Sequence, residues 1–251
     1  MMLESLPRPI IFAHRGASAY APENTIAAFE LALTQQADAI ELDVKLSADE
    51  QVVVIHDPTV DRTTNGRGRV KDLSLSELKL LDAGNTFSEK FRGEKIPTLD
   101  EVFEVVGKRT FINVELTNYN TPRDHLVEMV CMLVKKHQLQ KRILFSSFLG
   151  SNLSKARSYL PDVPRGLLAL NGLLGSWARS FGFVFGKYQA LHPSLKDMTQ
   201  QEALRVHRLN RRVHVWTVND EQDMRRLFGW GVDGIFTDDP QLALRVRAES
   251  K

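Results

Sequence analysis

The chain has a single cysteine, Cys131, among its 251 residues. One cysteine cannot form an internal disulfide, and it excludes a zinc site built from cysteines. It lies in an apolar helical pattern, which favours a small buried side chain over a nucleophile. The sequence also lacks an apolar run of transmembrane length, and Met1 to Pro9 contains no apolar core of a signal peptide. We therefore expect a cytoplasmic protein without stable membrane insertion.

The sequence has no large excess of charge of either sign. Lysine and arginine number 33 against 31 aspartate and glutamate residues, which gives a net charge of +2. This balance argues against a nucleic-acid binder, although a local basic patch for a small anion stays possible. Hydrophobic residues make up 43% of the chain, a share that is ordinary for a folded domain with a full core.

Apolar strand-like runs alternate with helical patterns along the chain. About eight strands and eight helices are expected, which favours a (β/α)₈ TIM barrel over a doubly wound open sheet. The first strand leads into His14-Arg15-Gly16, and a glycine fingerprint for dinucleotides is not found there. The predicted strands are Ile10 to Ala13, Ala39 to Val44, Val52 to Ile55, Thr110 to Leu116, Ile143 to Ser146, Gly166 to Leu170, Gln189 to His192, Val213 to Val218 and Val232 to Phe236.

The segment from Pro58 to Pro97 interrupts the alternation. It contains turn residues and too few apolar residues for a core of its own, so we interpret 58–97 as an insertion. The expected organisation is one domain over 1–251. A second segment, Leu170 to Tyr188, is rich in Gly, Leu and Phe, and its part from Leu173 to Phe185 is ambiguous. It is either a lid or apolar wall above the site, or ordinary packing.

Two carboxylates, Glu41 and Asp43, stand two positions apart in the strand-like run from Ala39 to Val44. Alternation places both on one face. On an inward face they need a cation or a donor network, whereas on an edge strand they would face water. Glu115, in the predicted strand Thr110 to Leu116, can complete an all-oxygen site, which favours Mg²⁺ or Ca²⁺. Its alternative role is to pair with Arg15.

His14 and His56 directly follow predicted strands, and imidazole exchanges protons near neutral pH. Each alone would be an ordinary structural histidine, but a pair opposite a cation favours a general acid and a general base. Asp57 is interpreted as a turn residue rather than as a partner of His56. Arg15 offers a planar fork for phosphate, so the chemistry indicated is phosphate-ester hydrolysis. Other polar residues at predicted strand ends are Ser146, Ser147, His192, Trp216, Asn219 and Asp238.

An ordered set of motifs resembles the signature of the glycerophosphodiester phosphodiesterases across nearly the whole chain. The motifs are His14-Arg15-Gly16, Pro22-Glu23-Asn24-Thr25, Glu41-Leu42-Asp43-Val44, His56-Asp57, Arg62-Thr63-Thr64-x-Gly66, Pro97-Thr98-Leu99, Val114-Glu115-Leu116, Ser146-Ser147-Phe148, Trp216-Thr217-Val218-Asn219 and Asp233-Gly234-Ile235-x-Thr237-Asp238. The resemblance implies a TIM barrel with a small insertion after the second strand.

The same resemblance implies a small-molecule substrate, a glycerophosphodiester that is hydrolysed to glycerol 3-phosphate and an alcohol. Water or the neighbouring glycerol hydroxyl could attack the phosphorus. The implied roles are metal binding by Glu41, Asp43 and Glu115, acid and base catalysis by His14 and His56, and phosphate binding by Arg15. The alternatives are a lysophospholipase D-type enzyme at a membrane surface, which needs an exposed apolar rim, and a non-catalytic phosphate-binding barrel.

One position departs from the family pattern. Many members carry lysine two places after the third carboxylate, where this chain has Thr117. Lys45, on the strand face of Asp43, is the hypothetical replacement for that charge. Trp216 is expected against the glycerol or alcohol group with its ring N–H free to donate, or else as a barrel plug.

Overall fold

A computed structural model describes residues 3–250 of the chain. Eight of the nine strands in this range form a closed parallel barrel, in which the last strand pairs with the first. The predicted (β/α)₈ TIM barrel is confirmed. Residues 1, 2 and 251 of the predicted span lie outside the described residues. The strands are β1 (Ile10–Ala13), β2 (Ala39–Leu46), β3 (Val52–Val54), β4 (Phe111–Leu116), β5 (Ile143–Ser147), β6 (Arg165–Ala169), β7 (Ala190–Pro193), β8 (Arg212–Val215) and β9 (Gly234–Thr237).

Helices connect the strands and cover the outside of the barrel. Capping boxes begin two of these helices, at Ser74 and Thr98. Each hydroxyl accepts from the backbone N–H three residues later, and the glutamate at that position accepts from the backbone N–H of the capping residue. The helices are α1 (Ile26–Thr34), α2 (Leu75–Leu80), α3 (Leu99–Val106), α4 (Leu126–Lys136), α5 (Gly150–Tyr159), α6 (Leu173–Trp177), α7 (Phe183–Phe185), α8 (Gln200–Arg208), α9 (Glu221–Gly229) and α10 (Pro240–Glu249).

The inward face of the barrel changes from apolar to acidic along the strands. In the register of β2 with β4, Ala39 lies opposite Phe111, whereas Asp43 lies opposite Glu115 near the carboxyl end. An apolar cluster fills the interior of the barrel below the carboxylates, which we call the lower barrel, and it includes Phe12 of β1 and Phe236 of β9. Because the carboxyl ends of parallel strands open on one face, the acidic residues collect there.

Strand β3 is not part of the barrel, which corrects the prediction that His56 follows a strand of the parallel series. β3 pairs antiparallel with β2, which is eight residues long and extends past the barrel rim. The hairpin turns back, and the amide of Ile55 donates to the carbonyl of Asp43 at 2.9 Å. The return of β3 therefore brings His56 over the barrel mouth.

The segment 58–97 lies between β3 and α3 and contains α2. Its buried apolar residues form a small cluster with Val53 and Ile55 of the β3 segment. The segment therefore has no separate core and packs its apolar side chains against the β2–β3 hairpin, which fits its interpretation as an insertion. The single-domain organisation stays a prediction.

The segment after β6 is helical, so its ambiguity is resolved. Helix α6 continues through a π-helical turn, Ala178–Gly182, into α7. Within residues 3–250, none of the helices has the length and apolar character needed to cross a bilayer.

Candidate active site

Three carboxylates meet at the carboxyl end of the barrel, as the alternation in β2 predicts. Glu41 and Asp43 of β2 and Glu115 of β4 each place an oxygen within 4.8 Å of the other two. The three side chains come together because β2 and β4 are neighbours in the barrel, and Asp43 lies directly opposite Glu115 in their pairing. It is the arrangement expected for a cation bound by oxygen atoms, because ligands about 2.0–2.6 Å from an ion lie within about 5 Å of each other.

The protonation of this cluster also favours a cation. Burial raises the pKa of Glu115 to about 8, and the charge of Asp43 adds to the effect. Burial raises the pKa of Glu41 well above its usual value, with further contributions from Asp43 and Glu115. Three carboxylates so close together do not all ionise near neutral pH unless positive charge compensates them. The donor set therefore fits a hard divalent cation.

Each carboxylate is also held by one protein donor. The amide of Arg15 donates to Oε2 of Glu41 at 2.9 Å, and Nδ2 of Asn24 donates to Oδ2 of Asp43 at 2.9 Å. The hydroxyl of Tyr119 donates to Oε1 of Glu115 at 2.7 Å. Sequence reasoning missed the roles of Asn24 and Tyr119. Asn24 was visible only as part of a family motif, and Tyr119 gave no signal.

His14 follows β1 and is held by a carboxylate from the end of β9. Its Nδ1 lies 2.6 Å from Oδ1 of Asp238. The same Oδ1 accepts from the hydroxyl of Ser18, and Oδ2 of Asp238 accepts from Nδ2 of Asn219. Burial by itself would raise the pKa of Asp238, but these partners, His14 foremost, lower it to about 2. Asp238 is therefore an anion that fixes the His14 ring. The sequence places Asp238 at a strand end without assigning it this role.

His56 has the equivalent arrangement, and here the turn interpretation of Asp57 is wrong. Nδ1 of His56 lies 2.7 Å from Oδ1 of Asp57, and Oδ2 of Asp57 accepts from Nε of Arg62 at 2.7 Å. The hydrogen bond from Arg62 is the largest cause that lowers the pKa of Asp57. Arg62 also bonds Glu23 twice, so the insertion contributes a side chain that fixes the His56 partner.

Arg15 lies inside the same network and does not pair with Glu115. Its Nη1 donates to Oε1 of Glu23 at 2.8 Å, and its Nε lies 3.4 Å from Oδ2 of Asp43. The alternative role of Glu115 as the partner of Arg15 is thus wrong, because Glu115 is bonded to Tyr119 instead. Arg15 keeps guanidinium donors for an anion, and it lines the hollow above the carboxylates.

A hollow of about 110 Å³ brings these residues together. A larger depression, of about 920 Å³, lies at the amino-terminal end of the barrel and contains none of them. We assign the site to the smaller hollow because both histidines and two of the three clustered carboxylates, Glu41 and Glu115, line it. It is lined by His14, Arg15, Glu41, His56, Asn113, Glu115, Ser146, Phe148, Leu168, His192, Trp216, Thr217 and Phe236.

Trp216 borders the hollow, but its ring N–H is not free. Nε1 donates to the carbonyl of His192 at 2.7 Å, and the ring packs edge-on against Phe148 with centroids 5.7 Å apart. The expectation that the indole N–H donates to substrate is therefore wrong. Trp216 offers an apolar surface, and it also packs on the cluster of the lower barrel.

Lys45 lies beside the hollow rather than in its wall. Its ammonium group donates to both the carbonyl and the hydroxyl of Thr117, each at 2.9 Å. Both residues line a groove of about 530 Å³ between the insertion and the loop after β4. Burial lowers the pKa of Lys45, whereas the nearby charge of Asp43 raises it. The Lys45 ammonium group therefore lies against Thr117, while its role towards the substrate stays a prediction.

Comparisons with known proteins identify the family of the chain. Residues 14–242 match the model of the glycerophosphoryl diester phosphodiesterase family. A glycerophosphodiester phosphodiesterase of Caldanaerobacter subterraneus is 40% identical over 240 residues, which cover 95% of this chain and 98% of the relative. An Oleispira antarctica phosphodiesterase, solved with its product sn-glycerol-3-phosphate, has a TM-score of 0.90 and 31% identity, and the match covers 99% of this chain and 100% of that one. The chain therefore belongs to the glycerophosphoryl diester phosphodiesterase family, and it is a phosphoric diester hydrolase.

Proposed function

We propose that the chain hydrolyses glycerophosphodiesters to glycerol 3-phosphate and a free alcohol with the help of a divalent cation and a histidine pair. One observation carries the proposal: two carboxylates of the acidic cluster, Glu41 and Glu115, line the same hollow as two carboxylate-bonded histidines. The Oleispira relative was solved with sn-glycerol-3-phosphate, which supports this substrate class.

In this proposal Glu41, Asp43 and Glu115 hold Mg²⁺ or Ca²⁺. When bound, the cation supplies positive charge that offsets the charge developing on the phosphate oxygens. Arg15 binds a second phosphate oxygen with the guanidinium donors that Glu23 does not take. The buried carboxylate of Asp43 and the half-buried carboxylate of Glu23 hold the guanidinium in place at the edge of the hollow.

His14 and His56 move the protons of the reaction. A carboxylate on Nδ1 of each ring favours the tautomer with its proton on that nitrogen and leaves Nε2 for exchange. One imidazole takes the proton of the attacking oxygen, which comes from water or from the neighbouring glycerol hydroxyl. The other imidazole gives a proton to the departing alcohol oxygen. By either route, hydrolysis of one diester consumes one molecule of water.

Lys45 and Trp216 complete the proposed substrate contacts. The ammonium of Lys45 stabilises negative charge on the substrate at the edge of the groove that it shares with Thr117. The face of Trp216 covers the carbon side of the glycerol or alcohol group, with its N–H fixed on His192.

The test is release of glycerol 3-phosphate from a panel of glycerophosphodiesters and lysophospholipids, with and without chelator. We expect chelation to abolish turnover and Mg²⁺ or Ca²⁺ to restore it. The lysophospholipase D alternative stays a prediction, which turnover of lysophospholipids in this panel would support. Full activity after exhaustive chelation would contradict the cation role.

Two variants separate binding of the cation from proton transfer. Glu115→Gln should lose the cation-dependent rise in thermal unfolding temperature, because it removes a ligand. His14→Ala combined with His56→Ala should keep that rise and lose turnover by at least about 10²-fold. Retained turnover in the double variant would remove the histidine pair from the proposal.

A further inference from the structure

An exposed row of large apolar side chains lies on the helical segment after β6. Leu173, Leu174, Trp177, Phe181 and Phe185 are 91%, 85%, 63%, 67% and 75% exposed. Apart from Leu174 they recur every four residues on one continuous helical stretch, and the rings of Phe181 and Phe185 are stacked. We call these five residues the apolar stripe. A contiguous exposed apolar surface of this kind indicates an interaction site.

The segment is fixed to the barrel by its other side. Arg179 donates to the carbonyls of Leu170 and Gly172 at 2.6 and 2.8 Å and pairs with Asp197 at 2.7 Å. Arg211 donates to the carbonyl of Val184 at 3.1 Å, and Phe183 is fully buried. These contacts fix the segment against the barrel, and its large apolar side chains are left exposed to solvent on the opposite side.

The sequence that contains and follows the apolar stripe has an excess of positive charge. Residues 170–211 contain six lysines and arginines but only two acidic residues, whereas the whole chain has a net charge of only +2. Arg179 and Arg205 pair with those two acids. Within residues 3–250 the remaining four cations have no carboxylate partner, namely Lys187, Lys196, Arg208 and Arg211. Aromatic and leucine side chains followed in sequence by cations without a carboxylate partner are the composition of a segment that binds anionic lipid.

The position of the stripe relative to the hollow fits this partner. Leu168 of β6 lines the hollow, and the helical segment begins four residues after β6 ends. The amide of Gly172 donates to Asp197, and the amide of Leu195 donates to the carbonyl of Trp216. The start of the stripe is thereby tied to the same barrel face as the hollow.

We propose that the apolar stripe seats the protein on the surface of an anionic phospholipid bilayer. The association is peripheral, since the stripe belongs to a short segment that runs along the barrel. A second copy of the chain is disfavoured as the occupant because pairing two such faces would bring the same excess of cations together. The proposal does not depend on the catalytic roles given above.

The test is cosedimentation of the full chain with vesicles of phosphatidylglycerol and with vesicles of phosphatidylcholine. We expect binding to phosphatidylglycerol that weakens at high salt, and much weaker binding to phosphatidylcholine. The variant Trp177→Ser/Phe181→Ser/Phe185→Ser should lose at least about tenfold in partitioning, because each large apolar side chain contributes more than 1 kcal/mol when buried. Lys187→Glu combined with Arg208→Glu should reduce binding to phosphatidylglycerol vesicles and leave the weak binding to phosphatidylcholine vesicles unchanged.

The matched control is Leu80→Ser/Met132→Ser, which removes two exposed apolar side chains remote in sequence from the stripe. This control should bind vesicles as the parent does. All variants should keep turnover of a water-soluble glycerophosphodiester, which confirms folding. Equal vesicle binding by the stripe variant and the control would overturn the proposal. So would a dimer, found by analytical ultracentrifugation without vesicle binding, that dissociates in the stripe variant.

Discussion

At the level of single residues, two aspartates give the candidate proton-transfer histidines the same support. Asp238 holds Nδ1 of His14 as Asp57 holds Nδ1 of His56. We predict that Asp238→Asn lowers kcat by about 10²-fold, because the amide no longer favours the Nδ1-protonated tautomer or stabilises the imidazolium. Steady-state kinetics on glycerophosphocholine would measure it, with KM expected to change little.

Asp220→Asn is the matched control for this substitution. Asp220 caps α9 through the amides of Gln222 and Asp223. Its replacement should therefore affect the unfolding temperature slightly and leave kcat unchanged. If Asp238→Asn retained the kcat of the parent, His14 would not need its carboxylate partner.

Lys45 and Thr117 allow a charge-exchange experiment. Lys45→Met should lower kcat/KM by about tenfold, chiefly through KM, since it removes a positive charge beside the substrate phosphate. Lys45→Thr combined with Thr117→Lys should recover most of that loss, because the two side chains are in contact. Thr117→Val, which preserves the charge, serves as the control. An unaltered kcat/KM in Lys45→Met would exclude the substrate role.

The ligands of the candidate cation site could be predicted from sequence because they follow strand alternation. Glu41 and Asp43 obey the period of two, and Glu115 is in register with Asp43. Asn24 and Tyr119 could not be predicted, because they approach the carboxylates from loops whose path depends on tertiary packing. Residues in loops do not follow the alternation of a strand or the repeat of a helix, so the sequence pattern does not show which way their side chains point.

At the level of elements, the sequence predicts which segments are helices and strands better than where they begin. The apolar pattern of Ile26, Phe29 and Leu33 predicts a helix from about Glu23 to Gln36, but helix α1 begins only at Ile26, because Thr25 caps it through the amide of Ala28. The residues before the cap serve the site: Glu23 bonds Arg15 and Arg62. The antiparallel direction of β3 could not be predicted either, since an apolar run has no direction.

Two histidines inside the barrel, His192 of β7 and His214 of β8, make stability depend on pH. Nδ1 of His214 lies 3.1 Å from Nε2 of His192, and both rings are fully buried. Burial lowers the pKa of His192 to about 3 and that of His214 well below its usual value. The folded protein therefore keeps both rings neutral where the unfolded chain takes up protons.

The sign of the effect follows from this difference. Above the unfolded pKa of about 6.5 both states are neutral, and below it each histidine lowers the free energy of unfolding by up to about 1.4 kcal/mol per pH unit. We predict that His214→Phe makes the loss of stability between about pH 6.5 and about pH 4.5 less steep. Urea denaturation at several pH values would measure this. His125→Phe, at an exposed site, should leave the slope unchanged, and an equal slope in both variants would refute the prediction.

For the whole molecule, the alternation of strand and helix patterns was sufficient to predict a closed barrel, although the sequence did not show that Val52 to Ile55 lies outside it. Parallel strands joined by helices need both faces covered, and eight of them close at about this length. The sequence could not predict the exposed surface of the barrel. The segment Leu170 to Tyr188 could be packing or a lid by composition alone, because exposure depends on which neighbours cover a helix.

One ion pair connects the last helix of the barrel to the residue before β2. Arg247 of α10 pairs with Asp38, just before β2, and their side chains are only 15% and 10% exposed. Asp38 also accepts from the amide of Ile11 in β1 at 2.8 Å, and Arg247 donates to the carbonyl of Pro9 at 2.8 Å. The pair thus joins the last helix to the first two strands.

We predict that Asp38→Asn lowers the free energy of unfolding by about 3 kcal/mol, because the Arg247 guanidinium stays buried without its anion. Glu89→Gln, in the exposed pair with Arg92, should change it by less than about 0.5 kcal/mol. Urea denaturation of both variants would measure the difference. Since Asp38 precedes β2, at the end of the barrel opposite the hollow, turnover of the folded Asp38→Asn variant should match that of the parent. Equal stability of the two variants would mean that strand pairing alone closes the barrel.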